Sequence, residues 1–276
     1  MTAYIILRDH PLRPGEAGPQ LAVTAADVAA YRRDEQQGQS VVKVVAGEKL
    51  TEWQALAALL IPSGNNIADL LAAWDAGSLP AFVAEMDGQA WSLGLRGTRY
   101  ADAGGAGPAT VSTAADQFHL TVRALEIPVF RQIVALPQVR LPAAGLACNV
   151  NSALGHDGID GVKTGSTPQA GGCLGVLGQP QGRRQPGHHH RRGTGRTGNR
   201  GRAQRAGRGN HCALAAHPAL TDEPDSEGEV SRRWTSALMV VCGSATAEAS
   251  RAGPRGATGG ARAAPGAGVD CTRRFV

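Results

Sequence analysis

A chain of 276 residues, 42% hydrophobic and 4% aromatic, is long enough for one large domain or two small ones. Its net charge of +5 is unevenly placed: residues 1–178 hold 12 Lys+Arg against 16 Asp+Glu, whereas residues 179–276 hold 16 Arg, no Lys and 7 acids. The overall figure therefore describes no single folded surface, and no apolar stretch approaches the length needed to span a bilayer.

In chain order, "MTAYIILRDHP" is too short an apolar run for a secretory signal and reads as the tail of a helix whose start lies upstream. The stretch "GQSVVKVVAGEKLT" (38–51) has a β-branched run ending at Gly47, which predicts a short strand and a turn. Thr51 caps a predicted helix carrying Trp53, Leu56, Leu59 and Leu60, which ends at Pro62 because proline lacks the N–H of a helix interior. After the corner "PSGN", Ile67, Leu70, Leu71 and Trp74 fall at the spacing of one buried helical face. Leu79, Phe82, Val83 and Met86 repeat it after Ser78, and residues 112–125 open with Thr113 and Asp116 at capping-box spacing.

Beyond Pro128 the texture changes to short apolar runs, "QVRL", "GLACNVN", "GIDGVKTG" and "GGCLGVLG", which predict strands. Helices followed by strands favour a mixed fold with an antiparallel sheet over a doubly wound one. Past Gly178 the periodicity disappears, and the segment has no Ile, no Tyr, one Phe and 16 Gly, too little apolar material to offset chain entropy. The organisation expected is a domain over residues 1–178 and a low-complexity tail over 179–276. Its Arg, Gly, Ala and Pro without Lys or Ile are what an out-of-frame reading of GC-rich DNA produces. Five cysteines, at 148, 173, 212, 242 and 271, form no C-x-x-C pair and include an odd one, so the expectation is buried or free thiols rather than a zinc site or a complete disulfide framework.

Two short motifs carry chemistry. Ser63-Gly64-Asn65 places a hydroxyl and an amide two residues apart on a corner between helices, although Ser and Asn before an apolar helical run are also preferred N-caps. Lys163-Thr164-Gly165 ends a predicted strand, where the plain alternative is a solvated lysine followed by a turn. A separation of 100 residues lets two lobes contribute opposite walls of one cleft.

With "AGEKLTEWQALAALLIPSGNNIADLLA" and "GHDGIDGVKTGSTPQAGGCL" in that order, residues 1–178 resemble the serine-type D-alanyl-D-alanine carboxypeptidases, the low-molecular-mass penicillin-binding proteins. The resemblance implies a mixed α/β (α+β) transpeptidase-like fold, a five-stranded antiparallel sheet with flanking helices and a helical lobe, here incomplete at both edges. It implies trimming of peptidoglycan stem peptides ending in D-Ala-D-Ala through an acyl-enzyme, trapping by β-lactams, and no metal or organic cofactor. By motif, Ser63 would relay protons to the leaving amine and Asn65 would hold the substrate backbone. Lys163 would supply positive potential, Thr164 would bind the terminal carboxylate, and the Ser166 N–H after Gly165 would be half of an oxyanion hole.

The family's Ser-x-x-Lys motif starts a buried helix just ahead of a segment like "MTA", with which this chain begins. The nucleophile is thus expected upstream of Met1. Ser40-Val41-Val42-Lys43 matches literally but lies in a strand-like run, so the chain as written is expected to be inactive. The family acts outside the cytoplasmic membrane after export; this chain shows no export signal and as written is expected to stay in the cytoplasm. Two rival readings are a non-catalytic β-lactam or peptidoglycan binder, and nucleic-acid binding through the Arg/Gly-rich run 183–208. The second is disfavoured because no aromatic residue between 179 and 233 can stack on bases. Gly193-x-Gly195-x-x-Gly198 follows "HHHRR" rather than a strand, and His188, His189 and His190 lie in a tract without built geometry, so neither is assigned a site. His119 and His156 are expected to be solvated or turn residues, and Trp53, Trp74 and Trp91 to be core or lobe contacts rather than a sugar platform.

Overall fold

The computed structural model describes residues 1–156, 158–167, 171–178 and 237–243. Helix α1 (Thr2–Asp9) buries Ile5, Ile6 and Leu7. Strand β1 (Gln20–Ala22) then pairs antiparallel with β2 (Lys49–Thr51). Between them lies α2 (Ala25–Gln36), which the apolar spacing did not predict. Asp34 is its only buried residue, and it is nucleated instead by a Thr24–Asp27 capping box.

The helices predicted from spacing form where expected. In α3 (Glu52–Leu60) Thr51 accepts from the Gln54 N–H in a full capping box, and the chain leaves the helix at Ile61 ahead of Pro62. Helix α4 (Asn65–Ala76) buries Ile67, Leu70 and Leu71, and α5 (Leu79–Ser92), capped by Ser78, buries Phe82 and Met86. Thr113 caps α6 (Ala114–Leu125), but the Asp116 carboxylate turns away from the helix end to accept from the Gly97 N–H at 2.8 Å and the Thr98 hydroxyl at 2.7 Å. A short helix not foreseen, α7 (Pro128–Val134), follows with proline in its first turn.

Helix α4 lies at the centre, in contact with α1, α2, α3 and α5. Leu56, Ile61, Ile67 and Leu71 are fully buried there, each contributing about 1.5–3 kcal/mol of transfer free energy. The strands predicted after Pro128 are present: β3 (Gln138–Leu141) and β4 (Gly145–Cys148) form a hairpin, and β5 (Ile159–Thr167) pairs antiparallel with β6 (Gly171–Gly178). A further strand, β7 (Ala237–Gly243), pairs with β6 from within the segment expected to lack regular structure; the rest of that segment lies outside the described residues. The fold is mixed α/β as expected. The five-stranded sheet implied by resemblance is represented among the described residues by three strands in the order β5-β6-β7.

Two expectations are corrected. The run 41–45 is not a strand. Val42 and Val44 are buried as an alternating pattern requires, but the Val42 N–H and C=O are both satisfied by the buried side-chain amide of Asn66, each at 2.9 Å, which takes the place of a neighbouring strand. Cys148 is disulfide-bonded rather than a free thiol, whereas Cys173 is free.

Candidate active site

The corner between α3 and α4 is built by close approach. A Cβ on Gly64 would lie 2.8 Å from a Val42 methyl and 3.1 Å from the Ala58 carbonyl oxygen, so glycine is required between Ser63 and Asn65. Ser63 sits at φ 63°, the only non-glycine residue with positive φ among those described. That region costs an L-residue free energy and persists where the surroundings over-determine it. Here the surroundings are the Gly64 N–H bond to Ala58 and the Asn65 N–H bond to the Ser40 carbonyl, at 3.1 and 2.9 Å.

Neither polar side chain of the corner acts as a helix cap. The N-cap of α4 is Gly64, with no side-chain capping bond, so the plain reading of Ser63 and Asn65 as caps does not apply. The Ser63 Oγ instead accepts a hydrogen bond from the Lys163 Nζ at 2.7 Å across 100 residues of sequence. The Asn65 Nδ2 donates to the Gln39 Oε1 at 2.9 Å, whereas the Lys163 ammonium donates to Ser63 and to the Thr164 carbonyl.

Lys163 is presented by β5, which docks on α7 where a Cβ on Gly161 would meet a Val134 methyl at 3.1 Å. Its ammonium also donates to the Thr164 carbonyl at 2.6 Å, and no carboxylate pairs with it among the described residues. Burial without a counter-charge pulls its pKa down to about 8. Thr164 follows half-buried, and Gly165 and Ser166 are exposed, with open space where a Gly165 side chain would stand. Among the described residues β5 is the edge strand of its sheet, so part of its backbone N–H groups face away from β6.

The structure thus joins Ser63 to Lys163, places Thr164, Gly165 and Ser166 along the same edge, and keeps Asn65 on the first turn of α4. Ser40 to Lys43 begin no helix; Lys43 is exposed and Ser40 serves the corner through its carbonyl. His119 is exposed, and His156 sits in a turn, donating to the Ala153 carbonyl. Three residues that the motifs did not flag position the corner: Gln39, Asn66 and Val42. Asn65 and Gln39 also line an open cavity of about 400 Å³ with Arg33, Asp34, Asp69 and Asp102. Burial and the nearby Asp34 raise the Asp69 pKa to about 6. The carboxylates of Asp9, Asp75 and Glu85 converge elsewhere, but Arg8 pairs with Asp9 and Glu85, and His10 with Asp75 at 2.8 Å, which makes the group an ion-pair cluster. Residues 183–208, with their glycine and histidine tracts, lie outside the described residues.

The profile of the D-alanyl-D-alanine carboxypeptidase family, peptidase family S11, matches residues 1–184. The chain belongs to this family. A D-alanyl-D-alanine endopeptidase of Pseudomonas aeruginosa is 32% identical over 139 residues, 48% of this chain and 45% of the relative, so the chain spans less than half the length of that curated relative. The crystal structure of a Streptomyces DD-transpeptidase superposes with a TM-score of 0.56 at 25% identity, covering 64% of this chain and 72% of that one. An evolved penicillin-binding protein homologue from Mycobacterium tuberculosis gives 0.55 at 30% identity, covering 66% and 68%. These solved structures share the mixed α/β fold of this chain.

Proposed function

We propose that the chain carries the substrate-side half of a serine-type D-Ala-D-Ala carboxypeptidase site, acting on peptidoglycan stem peptides on the outer side of the cytoplasmic membrane. The observation that carries this reading is the 2.7 Å bond from Lys163 to a conformationally strained Ser63. Backbone strain, and a part-buried lysine with no carboxylate partner among the described residues, are costs of the kind that concentrate at functional sites.

In this reading a peptide ending in D-Ala-D-Ala lies along the free edge of β5 as an added strand. Its terminal carboxylate meets Thr164 and the positive potential of Lys163. The Ser166 N–H faces the carbonyl oxygen where negative charge develops on attack. Ser63, whose Oγ accepts from the Lys163 ammonium, passes its hydroxyl proton to the departing amine and takes up in exchange the proton that the attacking serine gives up, so it acts as a relay and ends as a neutral hydroxyl. Asn65, held by Gln39, is placed to bond the substrate's amide backbone. β-Lactams enter as mimics of the same acyl donor.

The one Ser-x-x-Lys sequence among residues 1–276, Ser40–Lys43, begins no helix, so in this reading the attacking serine is not one of these residues. Removing the activated nucleophile of a serine hydrolase costs on the order of 10⁶-fold in turnover, so a polypeptide of residues 1–276 alone is expected not to acylate. Release of D-alanine from an N-acylated peptide ending in D-Ala-D-Ala tests the reading. A chain in which a Ser-x-x-Lys segment is joined ahead of Met1 should release it and lose release with Lys163→Ala, while residues 1–276 should not. Rapid release by residues 1–276, or Lys163→Ala releasing at the unaltered rate, would refute the assignment. Reversible, non-covalent penicillin binding by residues 1–276 would mark the non-catalytic binder instead.

A further inference from the structure

The cavity of about 400 Å³ that Asn65 and Gln39 line shares Asp69 and Asp102 with a neighbouring open cavity of about 550 Å³, which Leu79, Pro80 and Val83 of α5 also border. Arg33 and Arg99 face Asp34, Asp69, Asp87 and Asp102 across the pair, two cations against four carboxylates, so the lining is net negative. Three of those carboxylates are already partnered within the fold. Asp34 accepts from the Arg33 Nε at 3.1 Å, Asp87 from the Tyr100 N–H at 2.7 Å, and Asp102 from the Ala106 and Gly107 N–H groups at 3.0 Å and the Thr110 hydroxyl at 2.8 Å. The Asp69 carboxylate accepts no hydrogen bond and joins no ion pair among the described residues. Burial, Asp34, Asp102 and Asp27 raise its pKa to about 6, and Arg33 only partly offsets them.

Asp69 is also tied to the candidate active site by the helix that carries both. It follows Asn65 by four residues on α4, so the two side chains share a face, about 6 Å apart along the axis. The walls beside them are fixed in advance. The Thr2 hydroxyl donates to the Ala103 carbonyl at 2.7 Å, and Gly104 passes so close that a Cβ there would lie 3.2 Å from the Asn65 Oδ1.

We propose that Asp69 is a specificity-determining residue of this site, receiving the ammonium of a basic side chain on the substrate residue whose backbone Asn65 holds. The preferred stem peptides then carry a free primary amine on the residue just before D-Ala-D-Ala. This rests on the function proposed above. A four-carbon side chain spans one helical turn, the net negative lining disfavours a carboxylate, and an uncharged group would leave Asp69 desolvated without a partner. A metal ion is the poorer occupant. Among the described residues, only Asp9, Asp75 and Glu85 bring three such ligand atoms within 4.8 Å of one another, so Asp34, Asp69 and Asp102 do not converge on one ion.

The test is calorimetric binding to the 276-residue chain, at about pH 7.5, of Nα-acetyl-L-lysyl-D-Ala-D-Ala and of the same peptide acetylated on Nε. The free amine is expected to bind on the order of tenfold more tightly, because acetylation removes a charge-assisted hydrogen bond. Asp69→Asn, nearly isosteric, should bring the two affinities within about twofold, and Asp69→Glu should keep the preference, both with unchanged far-ultraviolet circular dichroism. In the parent chain the preference should shrink as pH falls through about 6, where the carboxylate takes up a proton. Lys163→Ala reads the corner separately and should weaken both peptides alike. Equal affinities in the parent chain, or a preference that survives Asp69→Asn, would overturn the proposal while Lys163 dependence left the peptidase reading standing. An Asp69-dependent preference with no effect of Lys163→Ala would do the reverse, and binding of neither peptide would overturn both.

Discussion

Replacing Asn66 by alanine removes the one side chain that substitutes for a neighbouring strand beside residues 41–45. Its amide accepts from the Val42 N–H and donates to the Val42 carbonyl, both at 2.9 Å, and Asn66 itself is 4% exposed. Alanine would leave two buried backbone groups unpaired, at about 1–3 kcal/mol each, so the expected loss is about 4 kcal/mol. That is a large fraction of the about 5–15 kcal/mol that holds a typical domain folded. With a urea m-value of about 2 kcal/mol/M, the midpoint should fall by about 2 M at unchanged m. The damage should reach the site, because Val42 packs on Gly64 and the Ser40 carbonyl holds the Asn65 N–H. A loss below about 0.5 kcal/mol, the range of an ordinary surface substitution, would show that water satisfies Val42 and that the amide clamp is not what shapes the corner.

Three further outcomes follow from the same geometry. Gly64→Ala should cost about 1–3 kcal/mol, since its Cβ would meet a Val42 methyl at 2.8 Å and a backbone oxygen at 3.1 Å; an unchanged denaturation midpoint would refute the close packing. Glu52 is fully buried with both carboxylate oxygens unpartnered, and desolvation raises its pKa to about 7 from 4.5. The unfolded chain ionises first, so stability should fall as pH rises from 4.5 to 7. Glu52→Leu should therefore stabilise by about 2 kcal/mol at pH 8 and by less at pH 4, and thermal melts with no pH-dependent difference would contradict this. For Lys163 the pKa is lowered from 10.5 to about 8. The unfolded chain then binds the extra proton between those values, so stability relative to Lys163→Met should rise as pH climbs from 8 to 10.5, and a flat difference would show that the ammonium is solvated.

What could be read from sequence was what local physics decides. Thr51, Ser78 and Thr113 start helices because their oxygens accept from backbone N–H groups three residues on, and the apolar spacing of Ile67, Leu70 and Leu71 fixes which face of α4 is buried. Helix α2 was not legible because it lies on the surface with almost no apolar stripe, and a capping box at Thr24 is a weaker signal than periodicity. The β-branched run 41–45 has the alternation of a strand, but whether it finds a ladder or an asparagine side chain is a tertiary fact. The same division holds at the site. Ser63 and Lys163 were legible as motifs at loop and strand positions, whereas the grip of Gln39 on Asn65 and the burial that moves Lys163 depend on residues distant in sequence, as does the exposure of Trp91 away from the site.

The most direct test of the central claim is labelling by a fluorescent penicillin, compared between residues 1–276 and an extended chain in which a Ser-x-x-Lys segment is joined ahead of Met1, with the adduct located by mass spectrometry. The account predicts a covalent adduct on the upstream serine of the extended chain, strongly reduced by Lys163→Ala, and none on residues 1–276. An adduct on residues 1–276 formed as fast as on the extended chain, or an extended chain that does not label, would contradict it.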